Sequence, residues 1–401
     1  MNDASINQSI DHLGTELWAE IQNEAPGLFD SSYWQGQMLD WVMKDASFKT
    51  DMFRFVDVFP VLDGTDDIAL HIREYLLKEG RELPKLMQVS LMAASKGLTA
   101  GLASKLIRQQ VSNMAERFIV GQNAKSAIKT LRELYKSDVT FTADLLGEAV
   151  FSESEAEQYR NRYLDLVENL SNAVSLWKEN DLLNTNHAGE IPPTNISLKI
   201  SAFQPFLDAV DCDGAVDLLY EKIMPVLLQA RKKNVFVNFD MEQWALHEIS
   251  MRLFEKVCTS PELKDWPHLG IVIQAYLNSA HDDFDRLLDL AEKRQCPLTV
   301  RLVKGAYWDY ETVHARQHDL PCPVIQGKSA TDFQYEEITA RLLDNYTMLE
   351  PAFATHNLRS IVYAIVYADN LGVPKNAYEF QMLYGMAEAE REVLKRRGYR
   401  I

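Results

Sequence analysis

The segment "VRLVKGAYWDYE" (300–311) starts as an apolar, β-branched strand yet carries Arg301 and Lys304, then breaks at Gly305 into Tyr307 and Trp308. A charge near the end of an apolar strand needs a partner, so these cations point to something negative that docks there. Six other apolar runs reach polar groups in the same way. "VTFTADLLGEA" (139–149) reaches Glu148, "NISLKISAF" (195–203) Lys199, "NVFVNFDME" (234–242) Asp240 and "GIVIQAYL" (270–277) Gln274. "PAFATHN" (351–357) ends on Thr355, His356 and Asn357, and "YEFQMLYGM" (378–386) passes through Gln381. Any single one reads as a solvated loop residue or a helix cap; seven in succession read as a site. Lys199, Arg301 and Lys304 suit phosphate or carboxylate. Gln274, Asn357 and Gln381 offer amide donors and acceptors, and Glu148 and Asp240 balance the cations. Gly305 lets backbone N–H groups come close to a ligand. Such a set suits a large polar cofactor with phosphates together with a small anionic substrate.

The elements that must position these groups alternate. Between the apolar runs lie helical segments: Tyr159, Tyr163, Leu166, Leu170, Val174 and Trp177 share one face, as do Val216, Leu219, Ile223, Val226 and Ala230. "RKKN" closes the second with cations suited to the helix dipole. Repeated strand–helix units imply parallel strands. Seven strands are countable and an eighth could begin at "YRI", where the sequence ends, so a (β/α)8 barrel is expected over 136–401, with the polar groups on its C-terminal rim. No Gly-rich turn follows the first strand, which weakens a dinucleotide-fold reading. Residues 1–135 read as an all-helical region, including a long Ala/Leu/Met-rich stretch (87–121) whose sparse cations suit core packing. The segment 180–193 reads as an exposed loop.

Composition narrows the classes. A net charge of −17 over 401 residues argues against nucleic acid. The four cysteines are dispersed without a CxxC pair, which suits a reducing cytosol. The polar N-terminus is no signal peptide, and no apolar run reaches membrane-spanning length. His314 and His318 have the i,i+4 spacing of a metal pair, but no third ligand follows and surface histidines are expected. No metal is expected, and neither a nucleophile elbow nor a phosphate-binding glycine loop is present.

The ordered motifs "DLLGEA", "SLKIS", "RLVKGAYWD", "ATHN" and "EFQML" resemble the proline dehydrogenase domain from about residue 115 onward. The N-terminal part, with "MAERFIVGQNAKSAI", resembles bifunctional proline-utilisation flavoenzymes, in which an aldehyde dehydrogenase domain follows. The resemblance implies a distorted, TIM-like barrel that binds FAD across its rim. It implies oxidation of L-proline to Δ1-pyrroline-5-carboxylate by hydride transfer to flavin N5, with electrons passed to a membrane quinone. A cytoplasmic protein, peripheral at the inner membrane face, is implied too. Position by position, Arg301 matches the arginine near flavin N5. Val303, Lys304, Gly305, Ala306, Tyr307 and Trp308 match the loop that cradles the cofactor. Gln274, Thr331, Thr355, His356, Asn357 and Gln381 match further FAD contacts. Lys199 matches the lysine that pairs with the proline carboxylate, Asp240 an active-site carboxylate, and Tyr307 and Leu383 walls of the pocket.

The match stops short of the family's eighth strand and the following helix, whose paired arginines clamp the substrate carboxylate. Arg396 and Arg397 precede that strand and are not this pair. A fragment of a longer polypeptide is the expected explanation, since a barrel that lacks a strand leaves an unpaired edge. The alternatives are a flavin-free barrel acting on a phosphorylated substrate and a shortened chain that only binds.

Overall fold

The structure, a computed structural model, describes residues 3–24, 45–62, 64–78, 88, 89, 91, 92, 95, 118–147 and 149–401. Most of the Ala/Leu/Met-rich stretch lies outside them. Contacts divide the chain into two units, Met1–Asn23 with Val120–Ile401, and Glu24–Ile119.

The smaller unit contains helices α2 (Ala46–Val58) and α3 (Thr65–His71), which continues into a π turn, Ile72–Leu76. Phe48, Phe55, Phe59, Leu62, Ile68, Ile72 and Leu76 form its core. Asp45 caps α2 by accepting from Phe48 N–H at 2.9 Å.

The larger unit is an α/β fold around a curled, fully parallel seven-stranded sheet of TIM-like form. Its strands are β1 (Ala143–Asp144), β2 (Thr194–Leu198), β3 (Val235–Phe239), β4 (Leu269–Gln274), β5 (Leu298–Val303), β6 (Leu349–Ala354) and β7 (Glu379–Gln381), paired in chain order. Helices α5 (Glu153–Val174), α6 (Cys212–Lys232), α7 (His247–Thr259), α8 (Ala280–Arg294), α9 (Trp308–Gln317), α10 (Lys328–Asp344), α11 (Leu358–Leu371) and α12 (Glu388–Arg396) follow or connect them. Earlier helices α1 (Asp3–Glu24) and α4 (Ala124–Lys136) join the same core, through Ile10, Leu17 and Ile21, and through Ala124 and Leu131. The helix starts follow local chemistry: Ser152 caps α5 and Asn357 caps α11 through their side chains. No helix among the described residues is long and apolar enough to cross a membrane.

Register decides which residues face inward. On β5, Leu298, Val300 and Leu302 are fully buried against the helices, while Thr299, Arg301 and Val303 alternate with them on the other face. Arg301 lies level with Val272 of β4 and Ala352 of β6, and Thr299 with Gly270 and Glu350. Carried around the sheet, this row also contains Asn238, Ser197 and Asp144. The inner face is therefore rich in polar groups, whereas barrels without a ligand inside fill that space with branched apolar side chains.

Two regions refine the expectations from sequence. Arg400 forms a parallel bridge with Glu379 of β7, and the Ile401 carbonyl accepts from Thr140 N–H at 2.8 Å, just before β1. "YRI" thus pairs with both edges of the sheet. The segment 180–193, expected as an exposed loop, holds a one-turn helix, Asp181–Asn184, and a ribbon of Thr185–Asn186 against Gly189–Glu190. Leu183 and Asn186 are buried there, because Asn186 donates to Glu350 at 3.0 Å at the base of the barrel.

Candidate active site

Four charged side chains meet at the C-terminal mouth of the barrel. Lys199 and Asp240 directly follow β2 and β3, Arg301 points inward from β5, and Asp144 ends β1. Lys199 Nζ lies 2.5 Å from Asp144 Oδ2 and 3.5 Å from Asp240 Oδ2. Arg301 Nη1 donates to Asp240 Oδ1 at 2.6 Å and to Ser197 Oγ at 3.0 Å. Asp240 Oδ1 also accepts from Ser197 Oγ at 2.7 Å and from Asn238 Nδ2 at 2.9 Å. Asp240 is thus the hub that fixes Arg301, and through it the guanidinium is held across the barrel from β3 to β5. Burial, reinforced by the charge of Asp240 and opposed by Lys199, holds the Asp144 carboxyl above the usual carboxylate range.

Arg301 Nε is buried and has no acceptor among the described residues. An unpaired buried donor of this strength is costly, so it marks a position where an acceptor-bearing ligand fits. The neighbouring buried groups are already arranged. Gln274 donates to the Glu242 carbonyl at 3.2 Å, and the Glu242 carboxylate accepts from the Ser201 amide at 3.1 Å and from the Ser201 hydroxyl.

The segment after β5 has a different organisation from the one the sequence suggested. Gly305 has φ +128°, and a Cβ there would stand 2.4 Å from Cγ of the Tyr276 ring. The glycine is required by its own backbone and by Tyr276, so close approach to a ligand is not its first cause. Lys304 is not a free cation: it pairs with Asp332, which also takes Lys328 at 2.9 Å. Two lysines sharing one carboxylate still leave a net positive charge. Val303 ends β5 half-buried, Ala306 is exposed, and Tyr307 is half-buried at the N-terminus of α9. Trp308 is exposed, with its indole N–H on the Ile325 carbonyl at 2.9 Å.

The other residues singled out fall on α10 or at and just after the strand ends, each with local work. Thr331 is buried in α10 with its hydroxyl on the Gly327 carbonyl at 3.4 Å. Thr355 Oγ1 accepts from Asn357 N–H at 3.1 Å, and Asn357 Oδ1 caps α11 through Ser360 N–H at 3.1 Å. His356 Nε2 accepts from the backbone of exposed Leu383 at 3.1 Å, which joins the loops after β6 and β7. Gln381 donates to Glu379 at 2.6 Å. Glu148 lies outside the described residues. Among the described residues no group of three metal-ligating side chains occurs, and the rings of His314 on α9 and His318 just after it lie tilted, 4.3 Å apart. Sequence reasoning missed Asp144, Ser197 and Asn238. A signal for two of them was present: polar residues at alternate positions, Asn195, Ser197 and Lys199, then Asn238 and Asp240, mark one face of each strand.

Comparison with known proteins identifies the family to which the chain belongs. Residues 127–401 match the proline dehydrogenase family, and residues 7–118 match the proline utilization A N-terminal domain. The chain is 32% identical over 318 residues to the bifunctional protein PutA of Klebsiella aerogenes, an alignment over 78% of this chain and 23% of that protein. It is 30% identical over 303 residues to proline dehydrogenase 2 of Bacillus subtilis (strain 168), over 75% of this chain and 84% of that one. A crystal structure of proline utilization A from Bdellovibrio bacteriovorus, inactivated by N-propargylglycine, aligns with a TM-score of 0.89 at 38% identity, over 100% of this chain and 39% of that one. The chain thus spans well under half the length of both long relatives. By its sequence over residues 127–401 and by its fold, the chain belongs to the proline dehydrogenase family.

Proposed function

We propose that this chain oxidises L-proline to Δ1-pyrroline-5-carboxylate, the first step of proline catabolism, with FAD as cofactor. The observation that carries this reading is the Lys199–Asp144–Asp240–Arg301 cluster on the polar inner face of a barrel of this family. FAD held by the residues named below would supply the two-electron acceptor, with a quinone at a membrane surface as the onward acceptor.

The remaining work belongs to side chains of the chain itself. Lys199 meets the substrate carboxylate through a charge-assisted hydrogen bond, which a buried anion requires. Asp240 positions Lys199 and Arg301 together. Arg301 brings fixed positive charge, with an unpaired Nε, to where negative charge grows during the reaction. Gln274, Thr331, Gln381, residues 303–308 and residues 355–357 would hold the cofactor. The net positive charge of Lys304 and Lys328 around Asp332 suits its phosphates. Tyr307 and Leu383 would wall the substrate pocket. Residues 136–401 carry the reaction in this reading. The family's eighth strand, opened here by Arg400, and the helix with the carboxylate-clamping arginines would come from polypeptide beyond Ile401. An aldehyde dehydrogenase domain there would consume the product, which the greater length of the bifunctional relative supports.

The test is direct. The purified full-length protein should be yellow, with flavin absorbance, and should reduce an electron-accepting dye only when L-proline is added. A colourless, proline-inert protein that binds a sugar phosphate would instead favour the flavin-free barrel.

A further inference from the structure

One carboxylate of the cluster has no role in the reaction as derived above, and its surroundings assign one. The register of the two-residue strand β1 beside Ser197 turns Asp144 into the mouth of the barrel. Its partner there is Lys199, at 2.5 Å. Asp240 is bound differently, because Arg301, Ser197 and Asn238 all donate to it. Exposure separates the two acids as well: the Asp144 side chain keeps 42% of its accessible surface and that of Asp240 only 15%. Asp144 can turn to water when it loses Lys199, whereas Asp240 cannot leave without stranding Arg301.

We propose that Asp144 is a displaceable counter-ion, which pairs with Lys199 before the substrate arrives and yields it to the substrate's carboxylate, so that anionic ligands bind more tightly as pH falls. The inference rests on Lys199 as the carboxylate-binding residue of the reading above. Among the described residues, the charged groups that face Asp144 are Lys199 after β2, Asp240 after β3 and Arg301 on β5. From α5 the fully buried Tyr163 phenol faces it too, and burial keeps that phenol neutral. When Asp144 is protonated it has no ionic claim on the ammonium, and the ligand's carboxylate meets Lys199, still beside Asp240, without that competitor. When it is ionised it competes for Lys199 and repels the incoming carboxylate. Because burial and Asp240 raise its titration range, the changeover moves toward neutral pH.

The test uses the flavin-loaded full-length protein and tetrahydro-2-furoate, the ring-oxygen analogue of proline, whose carboxylate stays ionised while it cannot be oxidised as an amine. Affinity is read by calorimetry at pH steps from about 4 to 8.5, starting at the ordinary carboxylate range. For the unaltered protein, affinity should fall as pH rises, by about three- to thirtyfold as expected for a like charge at close range in a partly solvated site. Asp144→Asn should bind more tightly at the alkaline end and lose the slope. Asp144→Glu, which keeps the charge, should keep the slope. An Asn variant with an unchanged slope, or with weaker binding at every pH, overturns the proposal and leaves Asp144 as a strut for Lys199. The functional reading fails separately, if L-proline does not reduce the flavin although the analogue binds, and the slopes still judge Asp144 in that case.

Discussion

The two ends of the barrel are both polar inside, yet they are built on different terms. At the base, Glu350 accepts from Asn186 at 3.0 Å and Thr299 at 3.3 Å, while Arg400 donates to Glu379 at 2.9 Å and to the Thr185 carbonyl at 3.1 Å. The ribbon at 185–190 covers these groups, and Arg400 keeps only 8% side-chain exposure. At the mouth, Lys199 is shared by two acids, Asp144 is half-open to solvent, and Arg301 carries a buried unpaired Nε. At the base these charged groups are all paired internally and hold the barrel together, although neutral atoms such as Asn195 Oδ1 and His187 Nδ1 are buried there without a partner among the described residues. A network with a spare donor and an exchangeable counter-ion can accept a ligand without being built anew. Polarity alone does not mark a site; the difference lies in which groups still have bonding capacity.

Substitutions at the two ends should therefore separate chemistry from stability. The largest effect is expected at the mouth. Arg301→Met should lower the rate of flavin reduction by L-proline by about 10²–10³-fold, the usual loss for one preorganised electrostatic donor. Its thermal midpoint should change little, because the substitution also relieves an unpaired buried nitrogen while Asp240 keeps Lys199, Ser197 and Asn238. At the base, Arg400→Ala should do the reverse. It leaves Glu379 uncompensated and should cost about 3 kcal/mol of stability in urea unfolding, with KM for proline changed by less than about twofold, since distant sites act additively. If Arg400→Ala abolished turnover in a folded protein, the contrast between the two ends would collapse.

The same contrast explains what the sequence showed. The strands were legible because their helix-facing residues, such as Leu298, Val300 and Leu302, form short apolar runs between helical periods. Arg301, Lys199 and Asp240 were legible because charge in or just after such a run is unusual. The bond between Arg301 and Asp240 was not, since β3 and β5 are not neighbours and only closure of the sheet brings them together. Asp144 was hidden by a strand of two residues, too short to show an alternating pattern. The base was hidden for another reason: "NTNHAGE" has loop composition, and its burial depends on Glu350 and Arg400, far away in sequence.

A smaller effect at the mouth sharpens the comparison. Lys199→Met should raise KM for proline by about 10–30-fold, the loss of one charge-assisted hydrogen bond, with a lesser fall in the limiting rate. Acetate, which offers the same carboxylate, should compete with proline in the unaltered protein and not measurably in that variant. A rate loss with unchanged KM would place Lys199 in the reaction step and away from the carboxylate.

The smallest expected effect tests the base through its pH dependence. Burial pushes the Glu350 carboxyl above its ordinary value, against the pull of Arg400 and of the hydrogen bonds from Asn186 and Thr299. A carboxyl with a raised folded value favours the folded state in its protonated form. Its contribution is therefore fully present below the unfolded value, near about 4.3, and is lost as pH rises through the higher folded value. Glu350→Gln keeps an uncharged acceptor for Asn186 and Thr299 at every pH. The thermal midpoint of this variant should exceed that of the unaltered protein by a few degrees at pH 7.5, about the shift that 1 kcal/mol produces, and the two should converge near pH 4.5. A variant less stable at pH 7.5 would show that ionised Glu350 is held by Arg400 strongly enough to offset its burial, and the base would then be an ion-pair network as well as a hydrogen-bonded seal.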